Sequence, residues 1–305
     1  MKNTKKTTKT IEAFENKVKE TINKYNLLTK KDKILVACSG GKDSTTTLYL
    51  IKKLGYNVKA ITVDLGIGNY SRKNIKNLEI FCKEHKVRII KVYFNKEFGH
   101  SLCFLKDVLK GKGVKLKSCS VCGVLRRYLL NKKAKELKAT KIVTGHNLDD
   151  ECQAVLMNFF RNTLEKSARL GPISGIVKDK AFVPRVKPLY FCLEKDVEAY
   201  SRQMNFPVLY QKCPCSYDVF RNYVKNLLNK YEANVKNQRF VSTLESYAFK
   251  RNPKLKENII SQFLKTLPKL KEKYRQSKAI TLCRKCGEPS KDGFCNSCRI
   301  INQLK

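Results

Sequence analysis

Acidic residues are scarce in this 305-residue chain: 26 Asp and Glu stand against 64 Lys and Arg, a formal net charge of +38. That shortage excludes an acidic solvating protein and makes a polyanion the expected partner. No window approaches 18 consecutive apolar residues, so no membrane-spanning helix is expected. The opening MKNTKKTTKTIEAFENK lacks the apolar stretch of a secretory signal, and the expected compartment is the cytoplasm. No internal repeat appears beyond an alternation of strands and helices. Apolar residues are present in ordinary measure, 42% of the chain, enough for one large or two modest domains with a core.

Without an export signal, thirteen cysteines point to metal ligation or thiol chemistry, because a reducing compartment disfavours structural disulfides. They are grouped. Cys119 and Cys122 form one C-x2-C, Cys213 and Cys215 a C-x-C, and Cys283, Cys286, Cys295 and Cys298 two further C-x2-C pairs. Cys38, Cys82, Cys103, Cys152 and Cys192 stand singly in apolar surroundings and read as small core residues.

Residues 1–9 are polar and read as a mobile leader, and the spacing of Ile11, Phe14, Val18, Ile22 and Tyr25 predicts a helix to about residue 26. Strands are expected at 34–38, 58–64, 87–94 and 141–144. Helices are expected after Gly41 and at 74–85, 121–137 and 148–162. Such alternation predicts βαβ units and an α/β fold with a mostly parallel sheet, whose ligands bind at the carboxyl ends of the strands, where Ser39, Asp64 and Gly145 fall. A Gly/Pro-punctuated loop is expected over 171–188, a helix over 193–204, a last strand over 207–210, and helices within 217–280, a segment with 15 basic and 5 acidic residues.

The sharpest local signal is Ser39-Gly40-Gly41-Lys42-Asp43-Ser44, between a predicted strand and a predicted helix. Two glycines permit a tight turn and close approach to an anion, the helix N-terminus offers free N–H groups, and Lys42 and the serines add donors. Phosphate binding is implied. The spacing is not that of a Walker A loop. A Gly-Gly turn capped by serine also serves an ordinary strand-to-helix junction.

This hexapeptide resembles the pyrophosphate-binding loop of the ATP-pyrophosphatase (PP-loop) superfamily. Two further segments, Cys119-Ser-Val-Cys122-Gly-Val-Leu-Arg-Arg127 and Thr144-Gly-His-Asn-Leu-Asp-Asp-Glu151, narrow the match. With Cys213-Pro214 and the cysteine-rich C-terminus, they resemble the TtcA/TtuA-type tRNA thiolation family, which includes archaeal and eukaryotic-cytosolic wobble-uridine thiolases. The resemblance runs from about Ile11 to Cys298. One departure is that members of the 2-thiouridine group usually begin with a zinc finger, whereas no cysteine precedes Cys38.

The resemblance implies a PP-loop (adenine-nucleotide alpha-hydrolase-like) fold. Its parallel sheet and catalytic domain would span 31–216 behind an N-terminal leader and helix at 1–30. A basic helical tRNA-binding segment would follow at 217–280, then a zinc ribbon or knuckle at 281–300 and a tail at 301–305. ATP contacts are expected at Ala37, Ser39, Gly40, Gly41, Lys42, Asp43, Ser44, Asp64, Gly145 and Asp150. Asp64 at a strand end equally reads as the start of a turn, and Asp149, Asp150 and Glu151 as acids favourable to a helix dipole.

The chemistry has its own logic. The oxygen at C2 of a uridine is a poor leaving group, and adenylation makes it a good one. A cation near the α-phosphate stabilises the charge that develops. By resemblance that cation is Arg126, where many relatives carry lysine, and Asp150 is the essential acid, binding Mg²⁺ or orienting the nucleophile. Three thiolates on a cubane leave one iron free for sulfur, and in the resembling family the positions of Cys119, Cys122 and Cys213 bind a [4Fe–4S] cluster. A closed zinc site with Cys215, or a persulfide passed between cysteines, are the alternatives.

Cys283, Cys286, Cys295 and Cys298 have the spacing of a structural zinc site. Lys110-Gly-Lys-Gly-Val-Lys-Leu-Lys117 is a basic segment suited to RNA phosphates, though part of the lysine excess reads as solvated surface. The expected function is an ATP-dependent tRNA sulfurtransferase acting on a wobble or T-loop uridine. Its expected partners are tRNA and a sulfur donor, either a thiocarboxylated ubiquitin-like carrier or sulfide, and a homodimer is expected. The alternatives are a lysidine- or amide-forming PP-loop synthetase and a non-catalytic zinc-containing RNA-binding protein.

Overall fold

A computed structural model describes residues 2–114, 118–176, 181–211, 213–216, 219–232, 252–275, 281–290 and 293–303. Four strands form where apolar runs end in turn residues: β1 Ile34–Ala37, β2 Val58–Asp64, β3 Ile89–Tyr93 and β4 Lys141–Thr144. They pair in parallel in the order β3-β2-β1-β4. Two short strands complete that edge, β5 Ile173–Ser174 and β6 Arg185–Val186, with β6 parallel to β4 and β5 antiparallel to β6. A six-stranded sheet with five parallel members is therefore the frame, as the strand–helix alternation predicts.

Alternation along the strands explains why both faces are covered. Ile34 and Val36 of β1 point into one core while Leu35 points into the other, and Val143 and Ile142 of β4 divide in the same way. The first core is roofed by α1 Lys2–Lys24, α2 Lys42–Lys53, α3 Gly68–Glu84 and α9 Glu194–Gln203, through Val18, Ile22, Leu48, Ile51, Leu78, Phe81 and Tyr200. The second is roofed by α5 Leu102–Gly111 and α6 Ser118–Glu136, through Leu102, Leu105, Leu125 and Leu129. The short α4 Phe94–Phe98 and α8 Leu164–Ser167 lie between longer elements. A third apolar cluster joins α7 Leu148–Phe160 to α10 Val219–Glu232 and α11 Leu255–Arg275, around Leu148, Cys152, Val224, Leu228 and Ile260.

Register places the functional loops side by side. Ala37 is level with Thr144, so the turn after β1 and the turn after β4 emerge together at the carboxyl edge, where strand order reverses. That reversal opens the crevice in which open α/β sheets bind ligands.

Several expectations are corrected. The leader is helical from Lys2 onward, since no Gly or Pro interrupts the sequence before the apolar stripe begins. Helix α5 occupies part of what reads as a lysine-rich loop, with Ser101 as its N-cap accepting from the Phe104 N–H. Of the 110–117 segment, residues 115–117 lie outside the described residues, as do 233–251 within the basic 217–280 stretch. Residues 207–210 form no strand, and the sixth strand comes instead from within 171–188. It is two residues long, too short for any periodic signal. No helix among the described residues is long and apolar enough to cross a membrane.

Candidate active site

Between Ala37 and Lys42 the chain turns through the glycine pair. Gly40 has φ +82°, and a Cβ there would stand 2.6 Å from the Asn74 carbonyl oxygen, so no other residue fits. The two serines brace the turn: Ser44 Oγ accepts from Ser39 N at 3.1 Å and donates to Gly41 O at 3.1 Å, with Ser39 Oγ 3.3 Å away. No side chain caps the N-terminus of α2, which leaves its first N–H groups directed at the crevice.

Lys42 is held between two carboxylates, 3.1 Å from Asp43 Oδ2 and 3.1 Å from Glu194 Oε1. Glu194 opens α9 and also accepts from Lys225 of α10 at 2.6 Å. Burial alone works to raise the Glu194 carboxyl. The hydrogen bonds and charges of Lys225 and Lys42 outweigh it and hold the group below the ordinary glutamate value. Burial pushes the neighbouring Asp43 carboxyl up, with Asp150 adding to the effect against Lys42 and Asn147.

The start of α7 supplies the opposite wall. Asn147 caps it in a reciprocal box: its side chain accepts from Asp150 N at 3.1 Å, while its own N–H reaches Asp150 Oδ2 at 3.4 Å. Asn147 Nδ2 also donates to Asp43 Oδ1 at 3.0 Å, tying the turn after β4 to the turn after β1. The three acids that follow take three separate bases, each at 2.6 Å: Asp149 pairs with Lys256 of α11, Asp150 with Arg221 of α10, and Glu151 with Lys187. Asp149 also accepts from Glu194 N at 2.7 Å. Of the two buried pairs, Lys187–Glu151 and Lys256–Asp149, both serve to fix the helix. Asp150 remains at the cleft, which has a volume of about 190 Å³ and is lined by Asp43, Asn147, Asp150, Glu194, Arg221 and Lys225, among others.

The sulfur-bearing residues stand at the neighbouring loop. Cys119 and Cys122 lie in the first turn of α6, and Arg126, one turn on, donates from Nη2 to Cys122 Sγ at 3.1 Å. The Arg126 Nε is buried with no protein partner. Cys119 Sγ donates to the Cys215 carbonyl at 3.5 Å, which joins α6 to the 213–216 turn. Burial raises the Cys213 thiol, and the nearby Cys215 and Cys122 sulfurs add to this, while the Cys215 amide and Arg126 pull it down. Cys213, Cys122 and Arg126 therefore share one site. Ser216, whose N–H and Oγ both bond the Cys213 carbonyl at 2.9 and 2.6 Å, also lines the ATP-side cleft. One four-residue turn spans both chemistries.

Cys103, which reads from sequence as a core cysteine, packs half-buried against the second core and also lies beside Cys215, and its thiol is raised by burial and by that neighbour. Cys38, Cys82, Cys152 and Cys192 are buried core residues as expected. Asp64 Oδ1 accepts from Gly66 N at 2.9 Å and so shapes the turn after β2, and Ala37 packs partly against the second core.

At the C-terminus, the sulfurs of Cys283, Cys286, Cys295 and Cys298 all lie within 4.8 Å of one another, with Cys286 and Cys295 3.6 Å apart. Tetrahedral zinc with bonds of about 2.3 Å needs sulfurs about 3.8 Å apart, and the group fits it. Strands β7 Thr281–Leu282 and β8 Pro289–Ser290 flank the first pair, and the second sits at the start of α12 Asn296–Asn302, with Cys295 as its N-cap and Cys298 in its first turn. The module is bolted to α6: Glu288 accepts from Asn131 at 2.5 Å and from Lys135 at 3.0 Å, and Ile300 is buried in the second core. Among the described residues Cys119, Cys122 and Cys213 form no such close group. The Arg126 guanidinium beside Cys122 favours anionic sulfur there.

Glu194, Arg221, Lys225 and Ser216 are absent from the sequence-based site. The Asn-Leu-Asp-Asp pattern signals the cap at Asn147, but the others arrive from distant elements with no local signature.

A glycine-rich turn at the switch point of a parallel sheet, walled by a capped helix and basic side chains, defines a nucleotide-binding α/β domain. Residues 10–232 match the PP-loop domain, and the chain belongs to that family, within its tRNA thiolation group of the TtcA/TtuA type. It is 34% identical over 289 residues to the tRNA-5-methyluridine(54) 2-sulfurtransferase of Pyrococcus horikoshii, covering 95% of this chain and 84% of that protein. To the tRNA 2-thiolation protein NcsA of Haloferax volcanii it is 28% identical over 311 residues, covering 96% and 91%. The solved structure of the U34-tRNA thiolase NcsA from Methanococcus maripaludis, with its [4Fe-4S] cluster, matches with a TM-score of 0.77 at 28% identity, covering 97% of this chain and 88% of that one.

Proposed function

We propose that the protein is an ATP-dependent tRNA sulfurtransferase that adenylates the C2 oxygen of a uridine and replaces it with sulfur. The observation that carries this reading is the 3.1 Å contact from Arg126 to Cys122. It puts the cation suited to an α-phosphate directly on a thiol of the sulfur site. Uridine O2 attacks the α-phosphorus, the bond to the β-phosphate breaks, and pyrophosphate leaves. Hydrosulfide sulfur then attacks C2, and AMP departs with the former O2.

In this reading the 39–44 turn, Lys42 and the N-terminus of α2 hold pyrophosphate, Gly145 lets the turn after β4 seat against the Asp43 backbone beside that turn, and Ala37 and Asp64 border the nucleoside. Asp150 with Asp43 offers carboxylate oxygens for Mg²⁺. Arg221 and Lys225, now on Asp150 and Glu194, are placed to move onto phosphate oxygens. Cys119, Cys122 and Cys213 would hold a [4Fe–4S] cluster, which supplies an open iron for incoming sulfide. Cys283, Cys286, Cys295 and Cys298 would hold a structural Zn²⁺ that keeps the C-terminal module on α6. The basic helix α10 at the end of the PP-loop domain and α11 beyond it extend the RNA-facing surface. A sulfide or thiocarboxylated-carrier donor, a homodimer and a cytoplasmic location belong to the same proposal.

The test is anaerobic purification followed by incubation with tRNA, ATP, Mg²⁺ and sulfide, then nucleoside analysis. A 2-thiouridine that requires both ATP and Cys122 is the expected product. A colourless protein yielding no thiolated nucleoside overturns the reading, and a nitrogen-substituted nucleoside formed equally well by Cys122→Ser points to nitrogen chemistry instead.

A further inference from the structure

Away from the cleft, the far end of α7 and the outer face of α10 enclose an open groove of about 510 Å³ lined by Phe160, Arg161, Phe220, Tyr223 and Leu227. Its aromatic rings are exposed to an unusual degree: Tyr223 is 61%, Phe160 55% and the adjoining Phe159 68% accessible. Large aromatics gathered in one exposed patch mark a binding surface more often than scattered apolar residues do. The Arg161 guanidinium lies 4.6 Å over the Phe220 ring, and Phe160 meets Phe220 edge-on at 6.3 Å. Among the described residues the lining therefore combines flat π faces with a cation and includes no acid.

Helix α10 relates this groove to the reaction site. Phe220, Tyr223 and Leu227, spaced i, i+3, i+7, form the groove stripe, and Val224 and Leu228 face the core. On the next stripe, Arg221 and Lys225 reach Asp150 and Glu194 in the cleft. Groove and cleft are thus on two sides of a single helix about 10–12 Å across. Along α7, Phe160 of the groove stands ten residues, about 15 Å, from Asp150 of the cleft, so a strand whose reacting uridine enters the cleft reaches the groove two or three nucleotides away.

We propose that this groove is a stacking site for an unpaired base flanking the target uridine, with Arg161 on the adjoining phosphate. The inference rests on the tRNA-modifying reading above. Single-stranded nucleotides are bound in this way, by aromatic faces for the base and cations for the backbone. A pocket of this volume accommodates a nucleotide. Arg161 in the lining, with no acid beside it among the described residues and the basic stripe on the same helix, favours a polyanion with planar faces over an apolar protein surface.

The test is equilibrium binding of fluorescent tRNA to the full-length protein, purified anaerobically, over a range of salt concentrations. Tyr223→Ala is expected to weaken binding about 5- to 100-fold with an unchanged slope of log Kd against log salt, because the ring touches no phosphate. Tyr223→Phe keeps the ring and is expected to bind nearly as the parent does. Arg161→Ala is expected to reduce the salt slope by about one. Photocrosslinking of tRNA carrying 5-bromouridine two or three nucleotides from the target is expected to label the peptide containing Tyr223 in the unaltered protein, a readout independent of any variant's folding. Tyr223→Ala and Phe160→Ala variants that bind tRNA as tightly as the parent overturn the proposal, and so do variants whose only change is a shift from dimer to monomer. If the unaltered protein binds no tRNA, the tRNA-modifying reading fails first; tight parental binding with indifferent variants removes the groove alone.

Discussion

Gly145 lies against the backbone of Asp43 so closely that a Cβ there would stand 2.8 Å from the Asp43 carbonyl carbon and oxygen and 2.9 Å from Ser44 N. The turn after β4 is thereby seated on the first turn of α2, and neither can move without the other. Gly145→Ala forces backbone, not a flexible side chain, to give way. Displacement of the phosphate-binding turn by a fraction of an ångström is expected to lower kcat/KM for ATP by about 100-fold, read as pyrophosphate release in the presence of tRNA. A variant with parental ATP kinetics would show that the two turns need not pack this closely.

The ion pair between Lys187 and Glu151 is nearly dry, its side chains 6% and 3% exposed and 2.6 Å apart. Removing one partner strands a buried charge, so Lys187→Met is expected to cost about 3–5 kcal/mol in denaturant unfolding. The double variant Lys187→Met with Glu151→Gln should recover part of that loss, because no uncompensated charge remains. Equal stability of the single and double variants would mean that the pair is not coupled.

These pairs also mark how far the sequence could be read. The strands and the SGGKDS turn were legible because each is local: an apolar run, two glycines, a helix start. The terminal cysteine quartet was legible from spacing alone. Glu194, Arg221 and Lys225 were not, since each reaches the cleft from a different helix, and a lone charge on a helix face looks like any solvated one. The acids at 149–151 read as site acids, Asp150 above all, with a dipole-friendly run as the alternative, and neither reading signals that each has its own basic partner from a separate element. Cys103 looked like a core residue because its neighbour, Cys215, is 112 positions away in sequence. Short β6 escaped detection because two residues carry no period.

Glu194 ties stability to pH through Lys42 and Lys225. Its folded-state pKa is depressed below the ordinary value of 4.5, so its contribution is fully present above that value and is lost as pH falls through the folded-state pKa. Asp43, whose pKa is raised, acts in the opposite sense: its penalty at neutral pH is relieved as it becomes protonated. Urea unfolding of the parent and of Glu194→Gln is expected to differ most near neutral pH and to converge below about pH 4.5. A gap between them that stays constant on acidification would exclude Glu194 as the titrating group.

Glu288 connects the terminal cysteine module to α6, the helix that carries Cys119, Cys122 and Arg126. Loss of metal from the module should therefore be felt at the sulfur site. Cys286→Ser is expected to lose one equivalent of bound zinc and to lower the Tm by about 5 °C or more. Glu288→Ala should retain zinc but share much of the thermal loss, since Asn131 and Lys135 lose their acceptor. Unchanged melting in both variants would make the module an independent appendage.

Arg126 and Cys122 touch at 3.1 Å, and in the proposed reaction they serve separate steps that two substitutions tell apart. Loss of the guanidinium removes the charge that meets the developing negative charge at the α-phosphate. Arg126→Ala is expected to slow tRNA-dependent pyrophosphate release by about 10²–10³-fold, with thiolation falling in parallel. Arg126→Lys keeps the charge, although a point ammonium replaces the planar fork, and should retain far more activity than alanine. Cys122→Ser leaves the cation in place, so pyrophosphate release should persist while 2-thiouridine disappears, leaving an activated RNA that water returns to uridine with release of AMP. The ratio of pyrophosphate released to thionucleoside formed therefore rises sharply for Cys122→Ser and stays near the parental value for Arg126→Ala. Parental pyrophosphate release by Arg126→Ala would remove Arg126 from the adenylation step and leave its contact with Cys122 as a purely structural tie.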